Sequence, residues 1–146
     1  MSDRSFLDTN IFVYSFDANA PDKAAIANRL ISEALASHKG VISYQVVQEF
    51  FNLALRRFQQ PMNASQAEQY LATVLRPLLA VHSSAALYSE ALRLYGQGGL
   101  SWYDALIVAA AQQSGCDILL SEDLQHGRNF GGLRIANPFL QRDRNS

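Results

Sequence analysis

The stretch SWYDALIVAAAQQSGCDILLSED, running from Ser101 to Asp123, decides the fold. Residues Ser101 to Ser114 read as a helix that is apolar nearly all round, closed by Gly115, a residue suited to the left-handed backbone of a helix C-cap. A helix without a polar face must be covered on every side, so it belongs inside a layered domain. Asp117 to Leu120 then reads as a strand, and Ser121, Glu122 and Asp123 follow it directly. A buried helix feeding a strand that ends in acids is one unit of an α/β domain.

The rest of the chain repeats that alternation. Ser5-Phe6-Leu7 is a short strand ending at Asp8-Thr9-Asn10, after which Ile11 to Phe16 is apolar again. Pro21 sits in the first turn of a helix in which Ala25, Ile26, Leu30, Ile31, Ala34 and Leu35 recur at helical spacing up to Gly40. Val41-Ile42 is a second strand, and Ser43 can cap a helix running to about Gln59, with Val46, Val47, Phe50, Phe51, Ala54, Leu55 and Phe58 on one apolar face. Beyond Pro61 a helix is predicted over 64–75, stopping before Pro77; Leu78 to Val81 is a third strand, Ala85 to Tyr95 a helix, and Gly96 to Gly99 a loop. Arg134 to Ala136 is a fifth strand. The pattern predicts a three-layer α/β/α sandwich with a short central parallel sheet, residues 1–146 forming one domain.

Composition agrees and excludes several classes. The chain has 146 residues, near the roughly 100 to 200 of one domain, and its 49% hydrophobic and 17% charged residues exclude a disordered tail protein. A net charge of −1, from 12 Lys+Arg and 13 Asp+Glu, excludes a strongly basic nucleic-acid binder, so a polyanion must be held by a local patch or through metal ions. Arg dominates the basic set, with only Lys23 and Lys39 as lysines. Cys116 is the one cysteine, which rules out an intrachain disulfide and a multi-cysteine zinc site. The longest apolar run, Ala105 to Ala111, is far short of the roughly 18 residues of a membrane span, and no signal-type stretch follows Met1, so a soluble cytoplasmic protein is expected.

In open parallel sheets the site lies beyond the carboxyl ends of the strands. Asp8 stands there after the first strand, Glu122 and Asp123 after the fourth. Asp104 is the fourth residue of the apolar helix, and Glu49 lies in the second turn of the helix after the second strand, on the flank of its apolar face. No Lys lies in these segments, so converging acids would repel one another unless cations joined them, and oxygen ligation suits Mg²⁺ or Mn²⁺ better than zinc. Each acid also has a structural reading: Asp8 as a turn or N-cap residue, Asp104 within the capping box Ser101-x-x-Asp104, Glu49 as a solvated flank, and Glu122 or Asp123 as a cap toward Gly127. Joint placement, with Thr9, Asn10, Ser43 and Ser121 alongside, is what favours function.

With these residues in view, the sequence resembles the PIN-domain ribonucleases, specifically the VapC toxins of bacterial toxin-antitoxin pairs. The resemblance is carried by Phe6-Leu-Asp-Thr-Asn10, Ser43-Tyr-Gln-Val-Val-Gln-Glu-Phe50, Ser101-Trp-Tyr-Asp-Ala-Leu-Ile107, Leu119-Leu-Ser-Glu-Asp123 and Ile135-Ala-Asn-Pro-Phe139, in the family's order. It implies metal-binding, catalytic acids at Asp8, Glu49, Asp104 and Asp123, with Thr9, Asn10 and Ser121 as polar support. Glu122 departs from the pattern, standing where many relatives have a neutral residue; it is either a fifth acid near the metals or points away. The implied reaction is hydrolysis of RNA phosphodiesters, one Mg²⁺ or Mn²⁺ acidifying water and a second stabilising the leaving 3′ oxygen.

RNA approaching this acidic site needs a cationic rim, for which Arg56, Arg57 and Arg128 are candidates. Trp102 and Tyr103 either stack bases or pack in a core or interface. A cognate antitoxin is implied as partner, its disordered tail folding into a groove between the helices around 25–35 and 46–58 and an Arg entering the acids. A homodimer is expected from the apolar surplus of Phe50-Phe51, Tyr70-Leu71 and Leu75 to Leu79. Two other readings compete: a catalytically silent PIN-like binding module, and a phosphoacceptor domain, which needs a late Lys that this chain lacks after Lys39.

Overall fold

A computed structural model of the chain describes residues 3–140, inside the expected domain limits of 1–146. Its elements are β1 (Ser5–Leu7), α1 (Thr9–Tyr14), α2 (Pro21–Ser37), β2 (Gly40–Ser43), α3 (Tyr44–Ala54), α4 (Ala64–Tyr70), a π-helical turn (Leu71–Leu75), α5 (Arg76–Leu78), β3 (Leu79–Val81), α6 (Ala85–Gly96), α7 (Trp102–Gln113), β4 (Ile118–Leu120), β5 (Asn129–Phe130) and β6 (Leu133–Ala136). The strands form one sheet in the order β3-β2-β1-β4-β6-β5, with helices covering its faces. The expected parallel sheet is parallel from β3 to β6 and mixed at its edge, because β5 pairs antiparallel with β6. Gly131 and Gly132, both at positive φ, make the two-residue connection of that hairpin.

Chain direction across the sheet reverses between β1 and β4, the switch point at which open α/β sheets leave a crevice. Register matters here. Leu7 lies opposite Leu120, so the next residues, Asp8 and Ser121, leave the sheet side by side, with the Asp8 N–H donating to the Leu120 carbonyl at 3.0 Å.

Helix α7 fulfils its apolar sequence, with every residue from Ala105 to Ala111 buried, and Gly115 ends it at φ 72°. Helix α2 lies so tightly on the sheet that a Cβ at Gly40 would sit 2.3 Å from the Ala34 Cβ. Other elements differ from expectation. Helix α3 stops at Ala54, not near Gln59, because the chain turns at 55–57 and brings Phe58 back onto Phe50 and Phe16, at ring-centroid distances of 5.9 and 5.5 Å. Burial of that ring outweighs the helix propensity of Leu55 to Gln60. Pro77 does not end its helix: the widened turn over Leu71–Leu75 places it in the first turn of α5, where a missing N–H costs nothing. No helix starts at Glu122 or Asp123.

The apolar stretches expected to drive pairing of two copies lie partly in the chain's own core, with Phe51, Tyr70, Leu71 and Leu79 left half-buried. Phe50, Leu75 and Leu78 are buried, and Tyr70 stacks on Phe50 at 5.0 Å. Helix α1 packs against both α2 and α3, the helices expected to border a partner's groove, and open space lies to either side of Phe16. No helix among the described residues is long and apolar enough to cross a membrane.

Candidate metal centre at the sheet switch point

Asp8 ends β1 and also caps α1, so its structural reading and its site reading hold together. Its Oδ1 accepts the Thr9 backbone N–H at 2.7 Å and its Oδ2 accepts the Ser121 hydroxyl at 2.8 Å. The carboxyl is buried, and that burial, reinforced by the charges of Glu49 and Asp123, pushes its pKa up to about 6 in spite of the two hydrogen bonds. Glu49, half-buried in the second turn of α3, accepts the Thr9 hydroxyl at 2.8 Å. Asp123, exposed beyond β4, accepts from the Asn10 amide at 2.9 Å. Thr9 and Asn10, the first two residues of α1, thus tie acids from α3 and from the β4 loop to the end of β1.

Asp104 stands in the first turn of α7, its backbone N–H donating to the Ser101 hydroxyl at 3.1 Å. Burial raises its pKa, the Asp123 charge adds to the rise, and a hydrogen bond with Ser101 opposes it. The carboxylates expected from sequence therefore feel one another's charge in a chain: Asp8 that of Glu49 and Asp123, and Asp104 that of Asp123. The oxygen donors, mutual repulsion and burial suit a hard divalent cation. Among the described residues, however, no three acidic, histidine or cysteine side chains already stand in ligand geometry; Glu49 and Asp123 are turned onto Thr9 and Asn10.

Glu122 points elsewhere. It pairs with Lys23 at 2.7 Å and accepts the Tyr14 hydroxyl, and these bonds hold its carboxyl below the ordinary range against the opposing effect of burial. Lys23 lies 4.5 Å from the Tyr14 ring centre, and the Tyr14 ring meets Phe139 edge-on at 4.9 Å. Lys23 stands 99 positions from its partner, so no local pattern around Glu122 signals the pair.

The three arginines expected at a cationic rim differ in their surroundings. Arg128 covers the Phe130 ring at 4.4 Å and lies against Gly99, in the loop leading to Ser101. Arg56 and Arg57 are exposed in the turn after α3, Arg57 beside a cavity of about 580 Å³ that Phe16 and Phe58 also line.

The fold and this geometry define a class: α/β domains that gather carboxylates at the switch point of a parallel sheet. The PIN domain family matches residues 5–129, and the chain belongs to that family. Its fold is similar to that of VapC20 of Mycobacterium tuberculosis, a sarcin-ricin loop cleaving toxin, with a TM-score of 0.57 and 21% identity over 79% of this chain and 86% of that one. It is also similar to FitAB bound to an IR36 DNA fragment, with a TM-score of 0.63 and 17% identity over 96% and 99% of the two chains. FitAcB from Neisseria gonorrhoeae gives 0.58 and 18% over 92% and 98%. No curated protein matches the chain by sequence.

Proposed function

We propose that the protein is a metal-dependent endoribonuclease that acts as the toxin of a toxin-antitoxin pair, with Asp8, Glu49, Asp104 and Asp123 holding Mg²⁺ or Mn²⁺. The observation that carries this reading is the buried Asp8 carboxyl, within reach of the charges of Glu49 and Asp123 while Ser121 and Thr9 donate to it. An acid held in that way is stabilised as an anion by a cation shared with its neighbours.

The chain's own residues would do the positioning. Ser121 and the Thr9 N–H fix both oxygens of Asp8. The Thr9 hydroxyl and the Asn10 amide would orient Glu49 and Asp123 toward the end of β1 for a shared cation. A bound divalent ion supplies acidification of water and stabilisation of negative charge at the phosphate. The carboxylates need transfer no proton themselves. Membership of a nuclease family and the likeness to an RNA-cleaving toxin support RNA as substrate and a small antitoxin as partner.

Calorimetric titration with Mn²⁺ tests the metal assignment without requiring turnover. Saturable binding in the wild type that is lost in Asp8→Asn is expected; equal binding by both proteins would contradict it. Growth arrest on expression, relieved by the product of an adjacent antitoxin gene, is the matching cellular outcome.

A further inference from the structure

Ser43 and Val81 are the last residues of β2 and β3, and beyond them a cavity of about 320 Å³ opens between α3, α6 and α7. It lies at the same carboxyl edge of the sheet as the acids. We propose that this cavity is a nucleobase subsite, taking a base of the RNA chain next to the bond that is cut; the assignment to RNA rests on the ribonuclease reading above.

Three kinds of observation carry it. The first is the ring and amide content of the walls. Tyr88, Trp102 and Tyr103 line the cavity with Gln45 and Gln48, flat faces for stacking beside amides for the edge of a base. Tyr88 and Trp102 are only 35° from parallel with centroids 6.3 Å apart, and the Gln45 amide donates to the Tyr103 carbonyl. Both Tyr88 and Tyr103 are exposed, Tyr103 to 63%, which is unusual for rings beside a helix packed as closely as α7. The second is an unmet polar group. Ser43, 3% exposed, borders the cavity and its hydroxyl has no hydrogen-bond partner, although the residue is the N-cap of α3. A buried hydroxyl without a partner costs free energy, and a donor and acceptor on an incoming base would satisfy it.

The third is charge. None of the lining residues is ionisable at neutral pH, while Glu49 follows Gln48 on α3 and Asp104 follows Tyr103 on α7. Phosphate is repelled by those acids unless cations intervene, whereas a neutral base is not. A chain whose phosphate lies on the acids can therefore place an adjacent base in this cavity. The volume is at the small end of the roughly 300–1,000 Å³ usual for ligand sites, as one base requires.

Trp102 is the chain's single tryptophan, so its fluorescence reports on the cavity directly. The test titrates the full chain in Ca²⁺, a hard cation for the acids that does not quench tryptophan, with four 2′-O-methyl tetranucleotides, one for each base, and with an Arg-rich peptide of equal length. Saturable, base-dependent quenching is expected, weakened about 5- to 100-fold by Tyr103→Ala. Ser43→Ala removes an unpaired hydroxyl and keeps the fold, and with Gln48→Ala it should flatten the preference among bases in both binding and Mn²⁺-dependent cleavage. Quenching that is absent, identical for all four bases, or produced only by the peptide overturns the proposal. Intact cleavage with unchanged base preference in Ser43→Ala, Gln48→Ala and Tyr103→Ala removes the subsite and leaves the nuclease reading standing. Base-selective quenching in a chain that cuts no RNA removes the nuclease reading and leaves the subsite.

Discussion

Replacing Asp8 by Asn should stabilise the metal-free protein at neutral pH, by an amount that falls away toward acid. The Asp8 carboxyl, ordinarily 3.8, is pushed up to about 6 in the fold, chiefly by burial. The unfolded chain therefore ionises this group before the folded chain does. Its contribution to stability is full only well below pH 3.8 and is lost as pH rises from there through about 6, a change of about 3 kcal/mol for the whole gap between the two values. Asn has no such loss. Its Oδ1 can still accept the Thr9 N–H, and the Ser121 hydroxyl can turn to accept from its amide, so the altered hydrogen bond costs up to about 1 kcal/mol at every pH and cancels in the comparison. Urea unfolding followed by circular dichroism in EDTA, at pH 4 and pH 7.5, measures both proteins. The stability difference should move by about 2.4 kcal/mol in favour of Asn between the two pH values, with unchanged m. A difference that stays constant, or moves toward Asp, would refute the reasoning. Adding Mg²⁺ at pH 7.5 should restore the wild type alone, by about 2.7 kcal/mol at a hundred times its dissociation constant.

Thr9→Val and Asn10→Ala remove the donors that hold Glu49 and Asp123, and each should lower Mn²⁺ affinity or RNA cleavage about 10- to 100-fold, measured by calorimetry and single-turnover assay. Glu122→Gln should leave cleavage within about threefold of wild type, a change smaller than the loss of a ligand's supporting group, because Glu122 engages Lys23 and Tyr14. In the same variant the Tyr14 pKa, raised first by its hydrogen bond to Glu122, should fall in a spectrophotometric titration. Gly40→Ala forces a methyl to within 2.3 Å of the Ala34 Cβ and should cost about 1–3 kcal/mol in urea unfolding.

Local signals carried most of the fold, and the misses have physical causes that no local signal contains. The all-apolar helix before Gly115 and the acids after short apolar strands placed α7, β1 and β4, and through them Asp8, Asp104 and Asp123 at one edge. Strand β5 has two residues and no periodicity, although the Gly131-Gly132 pair between Phe130 and Leu133 was a readable hairpin signal. The end of α3 is set by Phe58 returning to Phe16 and Phe50, a tertiary contact that overrides propensity. Pro77 reads as a stop only where the preceding turn is a regular α-helix. The side to which Glu122 turns depends on Lys23, 99 positions away, so the sequence could list both outcomes for it and choose neither.

The central claim is that the acids at the switch point cut RNA with a divalent ion. Its most direct test is cleavage of an end-labelled single-stranded RNA by wild type and Asp104→Asn, purified side by side, with Mn²⁺ and with EDTA. Asn at 104 keeps the N–H that donates to Ser101, so the start of α7 is preserved while the charge is lost. The account expects cleavage by wild type with Mn²⁺ alone, and none by Asp104→Asn under either condition. Equal cleavage by the two proteins, or cleavage by wild type that persists in EDTA, would contradict it.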